Sequence, residues 1–368
     1  MRVLLVTKPL VAPWNDSGKL VPRALARASS GRHAIQVLVT ADQPGEWPAH
    51  VEPVPLHHGR GRHRPGADEH LRMMWGVWRR RATFDLLHFF FQPHPPAVRA
   101  ARILARACGR RSIHTVLSAP REPSASLLFA QRTVTLTQAT ARAFARSGGL
   151  THAVIPPAIE DMPPADPARI AAARTHAGID GAFVIYPGDF EFSGGHDVLF
   201  DVWEAAADLP VLLVSGRAKT ARAAGARAAL EAEVARRGLA ARIRFADTVP
   251  DMPALIAGAE ALLFPARSLH AKTDLPLVVL EAWRERRPVL ASDLPELVET
   301  IGSGGRTLPL EPDAWLAALR ALPAEGAAMG AAGRAAFETR YSAAAAAAAY
   351  EALYDDVGVS PSVPGRST

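Results

Sequence analysis

The chain is poor in the features that anchor or cross-link a fold. Among its 368 residues there is one cysteine, Cys108. It can form no internal disulfide and supplies no cysteine-based metal cluster, so a reducing, cytoplasmic compartment is expected. No stretch approaches the ~20 consecutive apolar residues that span a bilayer, which argues against a membrane-crossing helix. The apolar start, Met1-Arg2-Val3-Leu4-Leu5-Val6-Thr7, is not followed by a signal-type hydrophobic region or a small-residue cleavage site and reads as a first buried strand. The basic clusters lack interleaved aromatic strands and any recognition-helix pattern, which argues against nucleic acid as a partner.

What is present is a globular balance of 49% apolar and 21% charged residues, in a chain long enough for two domains with separate cores. Lys and Arg number 42 against 36 Asp and Glu, a formal +6. The basic residues concentrate in the first half, at Arg60 to Arg64, Arg79-Arg80-Arg81 and Arg110-Arg111. That asymmetry suits an anionic partner, or simply an Arg-rich solvated surface.

Short apolar runs alternate with helical patterns from end to end, the signature of an α/β chain with parallel strands and crossover helices. In the first half, strands are expected at Arg2 to Thr7, Ala34 to Thr40, Phe84 to Phe91, Ser112 to Leu117, Arg132 to Thr137 and His152 to Ile155. Helices are expected near 18–30, 69–81, 96–108 and 138–147. Paired prolines at Pro156-Pro157 and Pro163-Pro164 disfavour helix and central strand and mark the linker. The second half restarts the pattern with strands at Phe183 to Tyr186, Pro210 to Val214, Arg242 to Phe245, Ala261 to Phe264 and Pro288 to Ala291. A helix over His196 to Asp208 keeps one apolar face for the sheet. These readings give domains over 1–160 and 161–341, a C-terminal helix over 342–357 returning to the first domain, and a flexible tail over 358–368.

In open α/β sheets ligands bind beyond the carboxyl ends of the strands. The sharpest segment there is Lys272-Thr273-Asp274-Leu275-Pro276-Leu277-Val278-Val279-Leu280-Glu281-Ala282-Trp283. Pro276 suits a first helical turn capped by Asp274 or Thr273, and the apolar run after it predicts a buried helix carrying Glu281. A buried carboxylate is costly without donors. Vicinal ribose hydroxyls would supply them, as would an ion pair to an arginine.

This segment resembles the Glu-x7-Glu signature of the retaining GT-B glycosyltransferases, the large family-four-like group also called glycosyl transferases group 1. Glu281 matches the second glutamate. Val249-Pro250-Asp251-Met252-Pro253, Ala261 to Ala266, Arg287 to Ser292 and Arg340-Tyr341-Ser342 follow in family order. Phe84 to His88, Ile113-His114-Thr115 and Val154 to Pro157 stand at the places expected in the first half. The resemblance implies two doubly wound Rossmann-like domains facing each other across a cleft. It implies transfer of a sugar from a nucleotide diphosphate donor to an acceptor hydroxyl with retention, without a bound metal or other cofactor; no Asp-x-Asp motif ends a strand. Glu281 would bind the donor ribose, and Val249 would lie near the base. Lys272, Thr273 and Leu275 would line the donor site, and His114 would contact the transferred sugar.

The departures from the family pattern matter. Thr273 occupies the place of the first glutamate, so either Asp274 takes its role or the sugar contact differs. The loop Gly188 to His196 lacks the usual Arg and Lys, so Arg217 and Lys219, past the next strand, are expected to clamp the diphosphate with Lys272. In the first half the amides near Gly18 would approach the donor phosphate, or merely begin a capped helix. These departures also keep open a nucleotide-sugar epimerase or hydrolase of the same fold, or a non-catalytic nucleotide-sugar-binding protein. The acceptor could be a glycan, a lipid or a small molecule. Residues 68–81 place Leu71, Met74, Trp75 and Trp78 beside Arg72 and Arg79 to Arg81, the pattern of a packed core helix or of a peripheral membrane contact.

Overall fold

The computed structural model of the chain describes residues 1–14, 16–57, 66–188, 190–191, 194–216, 221–247, 249–269 and 272–359. The chain forms two compact units, Met1–Glu160 with Ser342–Thr368 and Asp161–Tyr341. Of the expected flexible tail over 358–368, residues 358 and 359 instead continue the last helix, while Ser360 to Thr368 and the basic run Arg60 to Arg64 lie outside the described residues.

The first unit runs β1 (Arg2–Val6), α1 (Ser17–Ala28), β2 (Ala34–Thr40), β3 (Val51–His57), α2 (Ala67–Arg79), β4 (Leu86–Phe91), α3 (Pro95–Cys108), β5 (Arg111–Val116), β6 (Arg132–Thr135), α4 (Gln138–Arg146) and β7 (Ala153–Val154). The strands form one parallel sheet in the order β3-β2-β1-β4-β5-β6-β7. Helices cover both faces, so inner strands such as β2 and β4 are buried almost throughout and read as continuous apolar runs. No strand is expected from Val-Glu-Pro-Val-Pro-Leu-His, yet this is β3. It lies at the sheet edge, where Pro53 and Pro55 need donate no hydrogen bond to a further strand.

The second unit runs α5 (Pro167–His176), β8 (Phe183–Gly188), α6 (His196–Ala205), β9 (Val211–Gly216), α7 (Ala221–Arg236), β10 (Ile243–Ala246), α8 (Met252–Gly258), β11 (Leu262–Phe264), α9 (Leu277–Arg284), β12 (Val289–Ser292), α10 (Pro295–Ile301), β13 (Gly305–Leu308) and α11 (Pro312–Ala336). Its parallel sheet has the order β10-β9-β8-β11-β12-β13. Helix α6 stops at Ala205, three residues short of the expected Asp208, because Ala206 is extended.

The last helix, α12 (Ala343–Val359), belongs to the first unit and packs on α1. Alanine gives it helix propensity but little to bury, and polar contacts specify where it sits. His88 on β4 hydrogen-bonds the Tyr354 hydroxyl at 2.7 Å and Thr115 Oγ1 at 2.8 Å. Thr115 in turn meets the Tyr350 hydroxyl at 3.0 Å. The Ser30 amide donates to Glu351 at 2.7 Å, and Arg111 caps the far end at the Gly358 carbonyl, 2.7 Å away. Burial holds the His88 imidazole well below its ordinary pKa, hence neutral, and pushes the Tyr354 phenol well up.

Two prolines and three glycines obscure α11 in the sequence, yet it is the longest helix described. Its glycines permit close contact with α9: a Cβ on Gly330 would lie 2.1 Å from the Arg286 carbonyl oxygen, and one on Gly333 would lie 2.2 Å from the Trp283 ring. Gly330→Ala should therefore lower stability by roughly 1–3 kcal/mol despite its gain in helix propensity. Gly225→Ala in α7, where an added Cβ meets nothing within 4 Å, should raise it by roughly 0.5–1 kcal/mol. Thermal unfolding of the two variants against the parent checks both signs.

Candidate functional site

A doubly wound sheet opens a crevice where its strand order reverses, because the two loops at that point leave in opposite directions. In the second unit this point lies between β8 and β11. The loop after β8 ends at Gly194 and Gly195, with φ of +66° and +79°, a backbone region that favours glycine. A Cβ on Gly195 would stand 1.5 Å from the Pro265 carbonyl oxygen, so this turn lies directly on the backbone leaving β11. Arg267 on the β11 loop pairs with Asp197 in the first turn of α6 and ties the two loops together. The N-terminus of α6 thus opens at the carboxyl end of the sheet, where its amides and dipole suit an anion. Sequence reasoning missed the Arg267–Asp197 bridge, since nothing local pairs residues seventy positions apart.

Beyond β11 the chain passes Lys272 and buries Thr273, Asp274 and Leu275, each at 6% exposure or less. The expectation that Pro276 opens the next helix needs correction. Pro276 is the N-cap, extended at ψ 125° and without a side-chain cap bond, and α9 begins at Leu277. Burial of the residues before it keeps the chain extended one position longer. Lys272 Nζ stands 5.8 Å from the centre of the Phe264 ring, at the end of β11. Ser292, ending β12, donates to the Ala266 carbonyl at 2.6 Å and fixes the same exit.

Glu281 lies on the second turn of α9. The residue is partly exposed. Burial pushes its carboxyl up to about 7; the charge of Arg284 opposes the shift and that of Glu285 adds to it. The expected alternative, an ion pair between Glu281 and an arginine, is not what forms. Arg284 Nε instead meets Glu285 at 3.1 Å, both side chains being nearly fully buried. Among the described residues no side chain hydrogen-bonds the Glu281 carboxyl.

At the β9 and β10 exits, Phe190 covers Gly216, where a Cβ would lie 2.5 Å from the ring. Val249 is buried, so its backbone is what that loop offers a ligand. Next to it Asp251 caps α8 and pairs with Arg169 at 2.9 Å. Arg217 and Lys219, the expected diphosphate clamp, and Thr248 lie outside the described residues.

Two expectations in the first unit need correction. His114 is expected to contact the transferred sugar, but it sits inside β5 with Thr115 and Val116 still to come before the strand's carboxyl end. It is fully buried, stacked on Phe91 with ring centres 4.2 Å apart, and its Nε2 faces the Phe91 carbonyl at 3.2 Å. Burial lowers it to about 4, so it is a neutral core histidine, and the residues past the strand end are Leu117 and Ser118. The Gly18 amide, expected to face a phosphate, donates to Asp16 Oδ1 at 2.8 Å, and Asp16 also takes Lys8 Nζ at 2.7 Å. This is a capped helix start, the plainer of the two expectations.

Residues 182–325 match the family described as Glycosyl transferases group 1. That span runs from β8 into α11 and contains the whole β8–β11 crevice. No curated protein matches the chain by sequence. Among solved structures the chain is similar to sucrose-phosphate synthase from Thermosynechococcus elongatus, with a TM-score of 0.77 at 19% identity over 97% of this chain and 99% of the other. It is similar to Anabaena HepE in complex with UDP and glucose, with a TM-score of 0.70 at 17% identity over 98% and 99%. A glycosyltransferase from Rickettsia africae gives 0.72 at 12% identity over 98% and 99%. At such identities the likeness is one of fold, and it extends over both units, each with its own parallel sheet. Residues 182–325 are thus similar to the glycosyl transferases group 1 family, and the chain as a whole has the GT-B fold of these structures.

Proposed function

We propose that the chain transfers a sugar from a nucleotide diphosphate donor to an acceptor hydroxyl with retention of anomeric configuration, and that the donor occupies the β8–β11 crevice of the second unit. The observation that carries this reading is Glu281: a partly exposed glutamate on α9 whose carboxyl has no hydrogen-bond donor from a described side chain and is raised to about 7. Two ribose hydroxyls would supply the missing donors, since an ionised carboxylate only accepts. The α6 N-terminus and Lys272 would then face the diphosphate, and the segment Thr273 to Leu275 the sugar, with the Asp274 carboxylate in place of the family's first glutamate. In the reaction the sugar C1–O bond breaks and its electron pair leaves with the diphosphate. The acceptor oxygen bonds C1 from the same face and gives up its proton. Fixed amides and cations would stabilise the departing charge, with Arg217 and Lys219 following β9 as candidates and no divalent metal required. HepE structures that hold UDP and UDP-glucose make UDP the first probe.

Glu281→Gln should weaken UDP binding by about 1.5–3 kcal/mol, or about tenfold to about a hundredfold, in a folded protein. Binding should also depend on pH in a defined direction. The ionised carboxyl accepts from both ribose hydroxyls more strongly than the protonated one, so affinity should rise as pH increases through about 7, and this rise should disappear in Glu281→Gln. By the same shift the folded state keeps a proton that the unfolded chain has released, so Glu281 costs stability as pH rises from 4.5 toward about 7. Calorimetric titration of both proteins across pH reads the binding change; equal affinities at every pH would remove Glu281 from the site.

If Arg217 and Lys219 stabilise the leaving diphosphate, Arg217→Ala and Lys219→Ala should lower kcat more than they weaken donor binding. Unaltered kcat and kcat/KM would place the clamp elsewhere. Turnover should persist in excess chelator, and NMR of the product should show the donor's own anomeric configuration. Release of free sugar with every acceptor offered would favour hydrolysis over transfer.

A further inference from the structure

Helix α2 has more apolar surface than its core contacts use. Val77 is fully buried and Met73, Met74 and Trp78 pack against the core that contains Phe84 and Leu104. One turn apart on the outer side, Leu71 and Trp75 remain 67% and 58% exposed, and Trp75 stacks on Trp78 with ring centres 4.7 Å apart. Helix α3 packs beside α2 and exposes Ile103 at 62%. Six large apolar residues are exposed in the described chain, and these two helices carry three of them. Isolated exposed apolar residues are ordinary; a cluster on neighbouring helices is not.

The charges on α3 are all positive, while on α2 one ion pair and a capping carboxylate leave Arg79 at the end nearest Arg80 and Arg81. Asp68 is neutralised by Arg72, and Glu69 accepts from the Gly66 amide at 2.9 Å as the helix cap. Helix α3 carries Arg99, Arg102 and Arg106 and no carboxylate. Among the described residues no carboxylate pairs with these three, nor with Arg79 or Arg110. The Arg81 guanidinium lies over the Trp78 ring at 4.5 Å, joining the cationic and aromatic surfaces.

We propose that the α2–α3 face docks on an anionic lipid bilayer, with Trp75 and Leu71 entering the boundary between headgroups and acyl chains and the arginines facing lipid phosphates. Aromatic and aliphatic side chains beside arginine are what such a boundary takes up. Nucleic acid would use the cations but gain nothing from Leu71 and Ile103. A second copy of this face would bring like charges together.

The full chain should co-sediment with vesicles containing phosphatidylglycerol and not with pure phosphatidylcholine. Raising salt from about 0.1 M to about 1 M shortens screening from about 10 Å to about 3 Å and should release most of it. Leu71→Ser with Trp75→Ser, and separately Arg99→Glu with Arg106→Glu, should each weaken vesicle binding roughly tenfold or more. All four positions are exposed, and thermal unfolding would verify that the variants fold. The readout requires no sugar transfer, so it stands apart from the donor-site reading. Failure to sediment at low salt, equal sedimentation with neutral vesicles, or vesicle binding unchanged in both folded double variants would overturn the proposal, as would sedimentation lost only when bound RNA is digested.

Discussion

The approach of Gly195 to the Pro265 carbonyl sets the geometry of the second unit. At 1.5 Å from a virtual Cβ, no other residue could occupy the position without moving one of the two loops. Because the loops touch there, α6 begins at the sheet's carboxyl edge, Asp197 reaches Arg267, and the β11 backbone is held from both sides by Gly195 and Ser292.

Electrostatics in the same unit separate two kinds of acid. Glu285 has Arg284 at 3.1 Å and accepts from the Ala165 amide at 3.4 Å, as a carboxylate must when enclosed. Glu281, one turn earlier on the same helix, has no such partner and pays in proton affinity. An arginine within reach that is turned to another acid leaves Glu281 suited to an external donor.

The first unit solves a different problem. A mostly alanine helix, α12, has too little apolar surface to define its own seat. The His88, Thr115, Tyr350 and Tyr354 network supplies the specificity, with every bond made inside a buried region where an unmade one is expensive. His114 on β5 differs: it fills core space between Phe91 and Phe129 as a neutral ring, with its Nδ1 left without a hydrogen-bond partner among the described residues.

Local pattern in the sequence determined the α/β class, the inner strands, the buried helix after β11 and the carboxylate it carries, because apolar periodicity and proline placement report directly on backbone and burial. It could not determine what depends on distant contacts. Val51–His57 reads as a poor strand until its position at the sheet edge is known, and Pro312–Ala336 reads as a broken helix until its glycines meet α9. His114 in β5 and a catalytic histidine past a strand end differ by only a few residues of register, which composition does not fix. The Gly18 amide is open or occupied according to where the Asp16 side chain turns. Arg284 chose Glu285 over Glu281. In each case the residue types were visible in the chain, while the partner was selected by packing between segments far apart in it.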